Sequence, residues 1–149
     1  MKKIYLLAKI ILIYLFLISG VVAKQQDYLN KGIELFKKKE FDKSKILFEK
    51  DLVFDPKSEE SYLYLAKIFN ENNDEEQQEI NLNNVLLLNT QNDEAIYMLT
   101  LLKIKQSDYN GAKELIERFI LVCKSFCSKE SEMHEKFKKL IPENAKGNN

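Results

Sequence analysis

Between residues 26 and 140, apolar side chains recur three and four positions apart, with no sustained alternation of β-branched residues. That spacing predicts helices throughout, over 26–38, 41–54, 59–71, 75–88, 93–106, 109–123 and finally 129–140. Pro56 lacks an amide hydrogen and disfavours helical backbone at Asp55, so one run must stop there. Asp74, Asp93 and Asp108 stand immediately before three of the runs, where N-caps belong. Asn110-Gly111 would favour a hairpin turn between strands, but its flanks are helical. Met133, Phe137, Leu140 and Ile141 form an apolar stripe on the last predicted helix, suited to covering an open end. Residues 143–149 have no such pattern and are expected to fray.

The pattern repeats. Thirty-four residues separate Leu52-Val53-Phe54-Asp55-Pro56 from Leu86-Leu87-Leu88-Asn89-Thr90, and Ser61-Tyr62-Leu63-Tyr64-Leu65-Ala66 from Ala95-Ile96-Tyr97-Met98-Leu99-Thr100. The same step backward carries Tyr62 to Tyr28, Ala66 to Gly32 and Phe69 to Leu35. Phe41 falls on Glu75 and Tyr109, Ser44 on Gln78 and Ala112, and Phe48 on Leu82 and Ile116. The period therefore holds three times. Small residues at Gly32, Ala66 and Ala112 allow helices to approach closely, while Tyr28, Tyr62, Phe48 and Leu82 supply bulk.

A helix–turn–helix unit of this length with this pattern resembles the tetratricopeptide repeat, TPR. The first unit fits through Tyr28, Gly32, Leu35, Phe41, Ser44, Phe48 and Pro56, with Lys31 departing at an apolar position. The second fits through Tyr62, Leu65, Ala66, Phe69 and Leu82, with Gln78 at a small position and Thr90 in place of the proline. The third fits through Ile96, Leu99, Thr100, Tyr109, Ala112 and Ile116, with Lys103 where an aromatic is expected. The resemblance covers about Gln25 to Lys124 and implies an all-α fold, a right-handed superhelical solenoid of antiparallel helix pairs. By phase the repeats are 25–58, 59–92 and 93–126, followed by a capping helix within 127–142, since solenoids need a cap for solubility.

The resemblance also implies a mode of action. In such proteins the first helix of each unit lines a concave groove that accepts an extended peptide or a partner helix. Carried over by phase, that groove comprises Leu29, Ile33 and Phe36, then Leu63, Lys67 and Asn70, then Tyr97, Leu101 and Ile104. The competing expectation for each is burial against the neighbouring repeat or cap. The family's carboxylate clamp for acidic C-terminal peptides is not reproduced, because Glu94 and Met98 stand where basic residues are required.

The chain starts with a different kind of segment. Lys2, Lys3 and Lys9 form a basic head, Ile10 to Ile18 is unbroken apolar sequence, and Ser19-Gly20-Val21-Val22-Ala23 is a tail of mostly small residues. This is the layout of a secretory signal peptide, residues 1–23, with cleavage after Ala23. The rival reading is an uncleaved anchor, since Ile4–Ala23 is 20 residues long and just spans a bilayer. Either reading expects export, to a bacterial periplasm or held at the inner membrane, with membrane contact only through the leader if it is uncleaved. The 23 basic and 23 acidic residues of the whole chain become 20 against 23 without the leader, a net of about −3. A mildly acidic chain without a basic face is a poor nucleic-acid binder.

Candidates for chemistry are few. His134 is the only histidine, without an identifiable orienting partner, and reads as a surface residue. Asp74-Glu75-Glu76 and Glu59-Glu60 sit at helix starts, where the helix dipole favours them. No Gly-rich phosphate loop, nucleophile elbow or HExxH motif occurs, so neither catalysis nor a cofactor nor a metal is expected. Cys123 and Cys127 are four apart. On an intact helix their Cβ atoms would be about 5–6 Å apart, beyond the roughly 3.5–4.5 Å of a disulfide. A bridge therefore requires the helix to end between them, around Ser125-Phe126. A structural disulfide, a pair of reduced buried thiols, and a redox or metal role all stay open. The expected function is a non-enzymatic adaptor that binds a protein segment in its groove. The alternative is a structural subunit of a bacterial envelope assembly.

Overall fold

The computed structural model describes residues 27–140, together with Lys9 and Ile11. The leader's processing, Ile141 and the tail thus lie outside the described residues. The helices are α1 (27–37), α2 (Phe41–Phe54), α3 (Glu59–Glu71), α4 (Glu75–Leu88), α5 (Asp93–Lys105), α6 (Tyr109–Val122) and α7 (Glu130–Leu140), with one 3₁₀ turn at Cys127–Lys129. No strand occurs among the described residues. These bounds match the expectation to within one residue at each end. The chain divides into two compact units, one ending at Ser61 and one beginning at Tyr62, so the division falls inside α3.

The 34-residue period is written into the backbone as well as the side chains. Lys39, Asn73 and Ser107 take left-handed φ values of 60°, 56° and 60°. Each closes a first helix in the same way, with the following N–H reaching back five residues: Glu40 to Leu35, Asp74 to Phe69, Asp108 to Lys103. These bonds satisfy carbonyls that a helix end leaves without partners. The next helix then starts at once. Asp74 accepts the Gln77 N–H at 3.1 Å and Asp108 the Gly111 N–H at 3.0 Å, as N-caps. Gly111 is accordingly helical, not part of a hairpin.

Asp93 departs from the expectation. The cap of α5 is Asn92, whose side chain accepts the Ala95 N–H at 2.8 Å. Asp93 is the first helical residue, and its carboxylate is left for another use.

In the first unit, α1 and α2 meet through a close contact. Gly32 is buried, and a Cβ there would lie 2.7 Å from Cε1 of Phe48, which is itself fully buried. Ser44 donates its hydroxyl to the Gly32 carbonyl at 2.8 Å, fixing the same crossing. Phe36 rests on Phe41 and Tyr28 stacks on Phe54, with ring centroids 5.4 and 5.7 Å apart. After α2, Asp55 leaves helical backbone (φ −130°, ψ 87°) directly before Pro56, as the proline requires.

The second unit is built around one apolar cluster. Leu63 and Ala66 of α3, Leu82 and Val85 of α4, Ile96 and Leu99 of α5, and Ala112, Ile116 and Phe119 of α6 all belong to it. Met133 and Phe137 of α7 complete it, at 0% and 9% exposure. Burial of each large side chain contributes about 1.5–3 kcal/mol. The last helix therefore acts as a cap, packed on α5 and α6.

Candidate partner-binding cleft

In the second unit, α3, α4, α5 and the cap α7 line a cleft of about 480 Å³. Its floor is α5, through Tyr97, Met98, Leu101, Leu102 and Ile104. Asn70 of α3 and Gln78 of α4 form one side, and Lys105 and Lys136 stand at the rim. The helical spacing of 97, 101 and 104 places these three on one face of α5. Most of that face is only half-buried, so it offers apolar surface without being consumed by the core.

The structure brings together Asn70, Tyr97, Leu101 and Ile104 of the expected groove residues. Two others do not line the cleft. Leu63 is 8% exposed and belongs to the core cluster, so its surface is already used within the unit. Lys67 binds Glu94 at 2.8 Å and lies over the Tyr64 ring at 4.8 Å. Leu29, Ile33 and Phe36 belong to the first unit, where each is half-buried on α1. Met98 and Leu102 were legible as neighbours on the same helix. Lys136 was not, because nothing local to α7 reveals that it reaches the cleft.

Salt bridges offset the positive charge near the cleft. Lys105 pairs with Glu75 at 2.9 Å, Lys136 with Glu132 at 3.1 Å, and Lys103 with Glu79 at 2.5 Å. The hydrogen bond from Lys105 holds the Glu75 carboxyl below its ordinary range, and bonds from Lys136 and Lys129 do the same for Glu132. Tyr97 is shifted the other way: burial, then its hydrogen bond to Glu132, raises its phenol. The Tyr97 ring also lies 5.9 Å from Phe126 and 5.7 Å from the Lys129 ammonium. This expected groove residue therefore serves partly to seat the cap.

The cysteines lie at the far end of that seat. Helix α6 ends at Val122, so Cys123 is already outside it, and the two sulfurs are bonded with a Cα–Cα separation of 5.2 Å. The helix thus ends one residue before the expected 123 and ahead of both cysteines, so the bridge does not need it to end around Ser125-Phe126. The intervening loop wraps a carboxylate: Lys124, Ser125 and Phe126 donate their N–H groups to Oδ2 of Asp93 at 2.7, 2.6 and 3.0 Å. Partial burial opposes ionisation of Asp93. The N–H groups of Lys124, Phe126, Ser125 and Glu94 outweigh it and hold the carboxyl below its usual range.

The remaining repeat residues are structural. Ala66 and Ala112 are fully buried, Tyr62 packs against the cluster, and Pro56 sits exposed in its turn. Tyr109 is 41% exposed, and its ring leans on Phe137 at 4.8 Å. His134 is half-exposed, 3.8 Å from Glu130. Among the described residues, no group of three or more metal-ligating side chains converges, and no helix is long and apolar enough to cross a membrane.

Solved structures with this architecture are TPR domains. The Sgt2 TPR domain from Aspergillus fumigatus matches with a TM-score of 0.69 at 20% identity, over 83% of each chain. The first TPR of Spaghetti (RPAP3), bound to the HSP90 peptide SRMEEVD, matches with a TM-score of 0.70 at 17% identity, over 78% of this chain and 92% of that one. The Arabidopsis OM64 TPR domain matches with a TM-score of 0.71 at 15% identity, over 78% and 96%. No protein-family model and no curated protein matches the sequence. The chain has the tetratricopeptide-repeat fold.

Proposed function

We propose that the protein is an exported, non-enzymatic interaction module that binds an apolar segment of a partner protein in the α5 cleft. The half-buried Tyr97, Met98, Leu101 and Ile104 on one face of α5 carry this reading. A few such anchors in a shielded pocket supply most of an interface's binding energy. A similar fold binds a peptide in the Spaghetti complex, which supports a protein ligand. That peptide is acidic, whereas Lys67, Lys105 and Lys136 here are each paired with a glutamate. The chemistry favours an apolar partner segment over an acidic tail. The leader directs the repeats across a bacterial inner membrane, and a scaffold role within an envelope assembly is the alternative.

The test is affinity capture from the native envelope with wild type and a Met98→Ala, Leu101→Ala variant, chosen to spare the cap contacts of Tyr97. Partner recovery should fall at least about tenfold if both anchors engage, since each truncation at a central contact costs about 1–2 kcal/mol. Unchanged recovery by a variant with wild-type circular dichroism and melting would rule out the cleft.

A further inference from the structure

Helix α2 ends with two large apolar side chains turned outward, Val53 at 76% and Phe54 at 47% exposure. Phe54 is stacked on Tyr28 of α1, so the exposed end of α2 lies beside the first turn of α1. In the sequence, the apolar segment Ile4–Ala23 stops just before that turn, with only Lys24, Gln25 and Gln26 between Ala23 and Asp27. Fully extended, such a connection reaches only about 11 Å. An exposed apolar corner is thereby tied closely to a segment long enough to cross a bilayer.

The charges at this corner are mixed, and its apolar side chains are what suit a lipid surface. Lys50 and Lys57 are exposed on either side of it. Of the nearby acids, Asp51 is buried and accepts the Ser61 hydroxyl at 2.6 Å, Asp27 pairs with Lys31 at 2.6 Å, Glu49 lies 3.8 Å from Lys45, Asp55 accepts only a backbone N–H, from Lys57 at 3.0 Å, and Glu59 and Glu60 open α3 just beyond it. We propose that residues 4–23 remain in the membrane and that this corner of the first unit rests on the bilayer. Val53 and the Tyr28–Phe54 pair enter the interfacial layer, where aromatic side chains are favoured. Lys2 and Lys3 hold the other end of the segment on the cytoplasmic side, which places the repeats across the membrane. The proposal rests on the export reading but not on the cleft. Loss of partner capture leaves it standing, and cleavage of the leader overturns it while leaving capture intact.

The chain contains no tryptophan, so single substitutions report position directly. Val53→Trp marks the corner, and Lys38→Trp marks the other end of α1, about 15 Å away along the helix axis. The full chain is reconstituted in phosphatidylethanolamine–phosphatidylglycerol vesicles containing lipid brominated close to the head group. The Val53→Trp reporter should emit to the blue and lose most of its intensity, whereas the Lys38→Trp reporter should be unaffected. Equal quenching at the two positions in a chain that resists alkaline extraction refutes the corner contact. An intact mass from the native membrane showing cleavage after Ala23 refutes retention.

Discussion

In the first unit, position 51 is an aspartate and position 61 a serine, and 34 residues later the same places hold Val85 and Ala95. The first pair is joined by a hydrogen bond of 2.6 Å, with Asp51 at 2% and Ser61 at 0% exposure. The second pair lies in the apolar cluster, both residues fully buried. One register position is thus filled by a carboxylate that a hydroxyl satisfies, and then by a methyl and an isopropyl group. A second contrast runs alongside it. Gly32 and Phe48 occupy the positions that Ala66 and Leu82 fill in the next repeat, so a smaller residue on one helix accompanies a larger one on the other. Across these two repeats, size lost on one helix of the Gly32–Phe48 crossing is regained on the other.

The largest effect should come from moving the polar residue alone. Val85→Asp places a carboxylate in the cluster with no hydroxyl opposite, and should cost about 3–5 kcal/mol. The reverse exchange, Asp51→Val with Ser61→Ala, transplants the second repeat's own pair. It should change stability by less than about 2 kcal/mol, because both members of the bond leave together. Asp51→Ala by itself should cost about 1–3 kcal/mol, since the serine hydroxyl is left buried without its acceptor. Urea denaturation of the three variants orders them. A double exchange as costly as Val85→Asp would show that the polar pair is required where it stands.

Next in size is the crossing at Gly32. A Cβ there meets the Phe48 ring at 2.7 Å, so Gly32→Ala should overpack the contact and cost about 1–3 kcal/mol. Adding Phe48→Leu reproduces the alanine–leucine combination of the second repeat and should recover part of that loss. The informative quantity is the coupling energy of the double-mutant cycle, expected to be favourable by at least about 0.5 kcal/mol. Simple additivity would break the volume argument. It would also mean that the Ser44 bond to the Gly32 carbonyl, and not the ring, dictates how closely the helices approach.

These contrasts bear on what could be read from the chain. The helices and their period were legible because helix type and length follow from apolar spacing, which local sequence carries in full. The lining of the cleft was legible only where it follows from phase along one helix. Leu63 and Tyr97 share one repeat position, yet Leu63 is spent on the core and Tyr97 lines the cleft. Val53, Leu87 and Leu121 each adjoin apolar neighbours and share one repeat position. All three face solvent, at 76%, 81% and 84% exposure, and spacing within such a run cannot say which member turns inward. Asp93 was misread for a related reason. Asn92 and Asp93 are both good capping residues, and only the loop 31 residues or more downstream shows why the second is needed elsewhere.

That loop supplies the smallest predicted effect and a third term for the comparison. Asp51 of the first unit accepts one hydroxyl out of reach of solvent. Asp93 of the second accepts three backbone N–H groups in a partly open site. Asp93→Asn keeps an acceptor oxygen but loses the charge, and solvent screening should limit the cost to about 1 kcal/mol near neutral pH. The folded-state carboxyl lies below its ordinary value, so its contribution is present above the unfolded-state value near about pH 4. It is lost as pH falls further, through the folded-state value, when the unfolded chain takes up its proton first. The gap between wild type and Asp93→Asn in urea midpoint should therefore close on acidification from neutrality to below that range, with the disulfide intact in both. A gap that stays constant with pH would mean that the loop is held by the Cys123–Cys127 bond and the geometry of its turn, with the Asp93 charge contributing nothing to the seat of the cap.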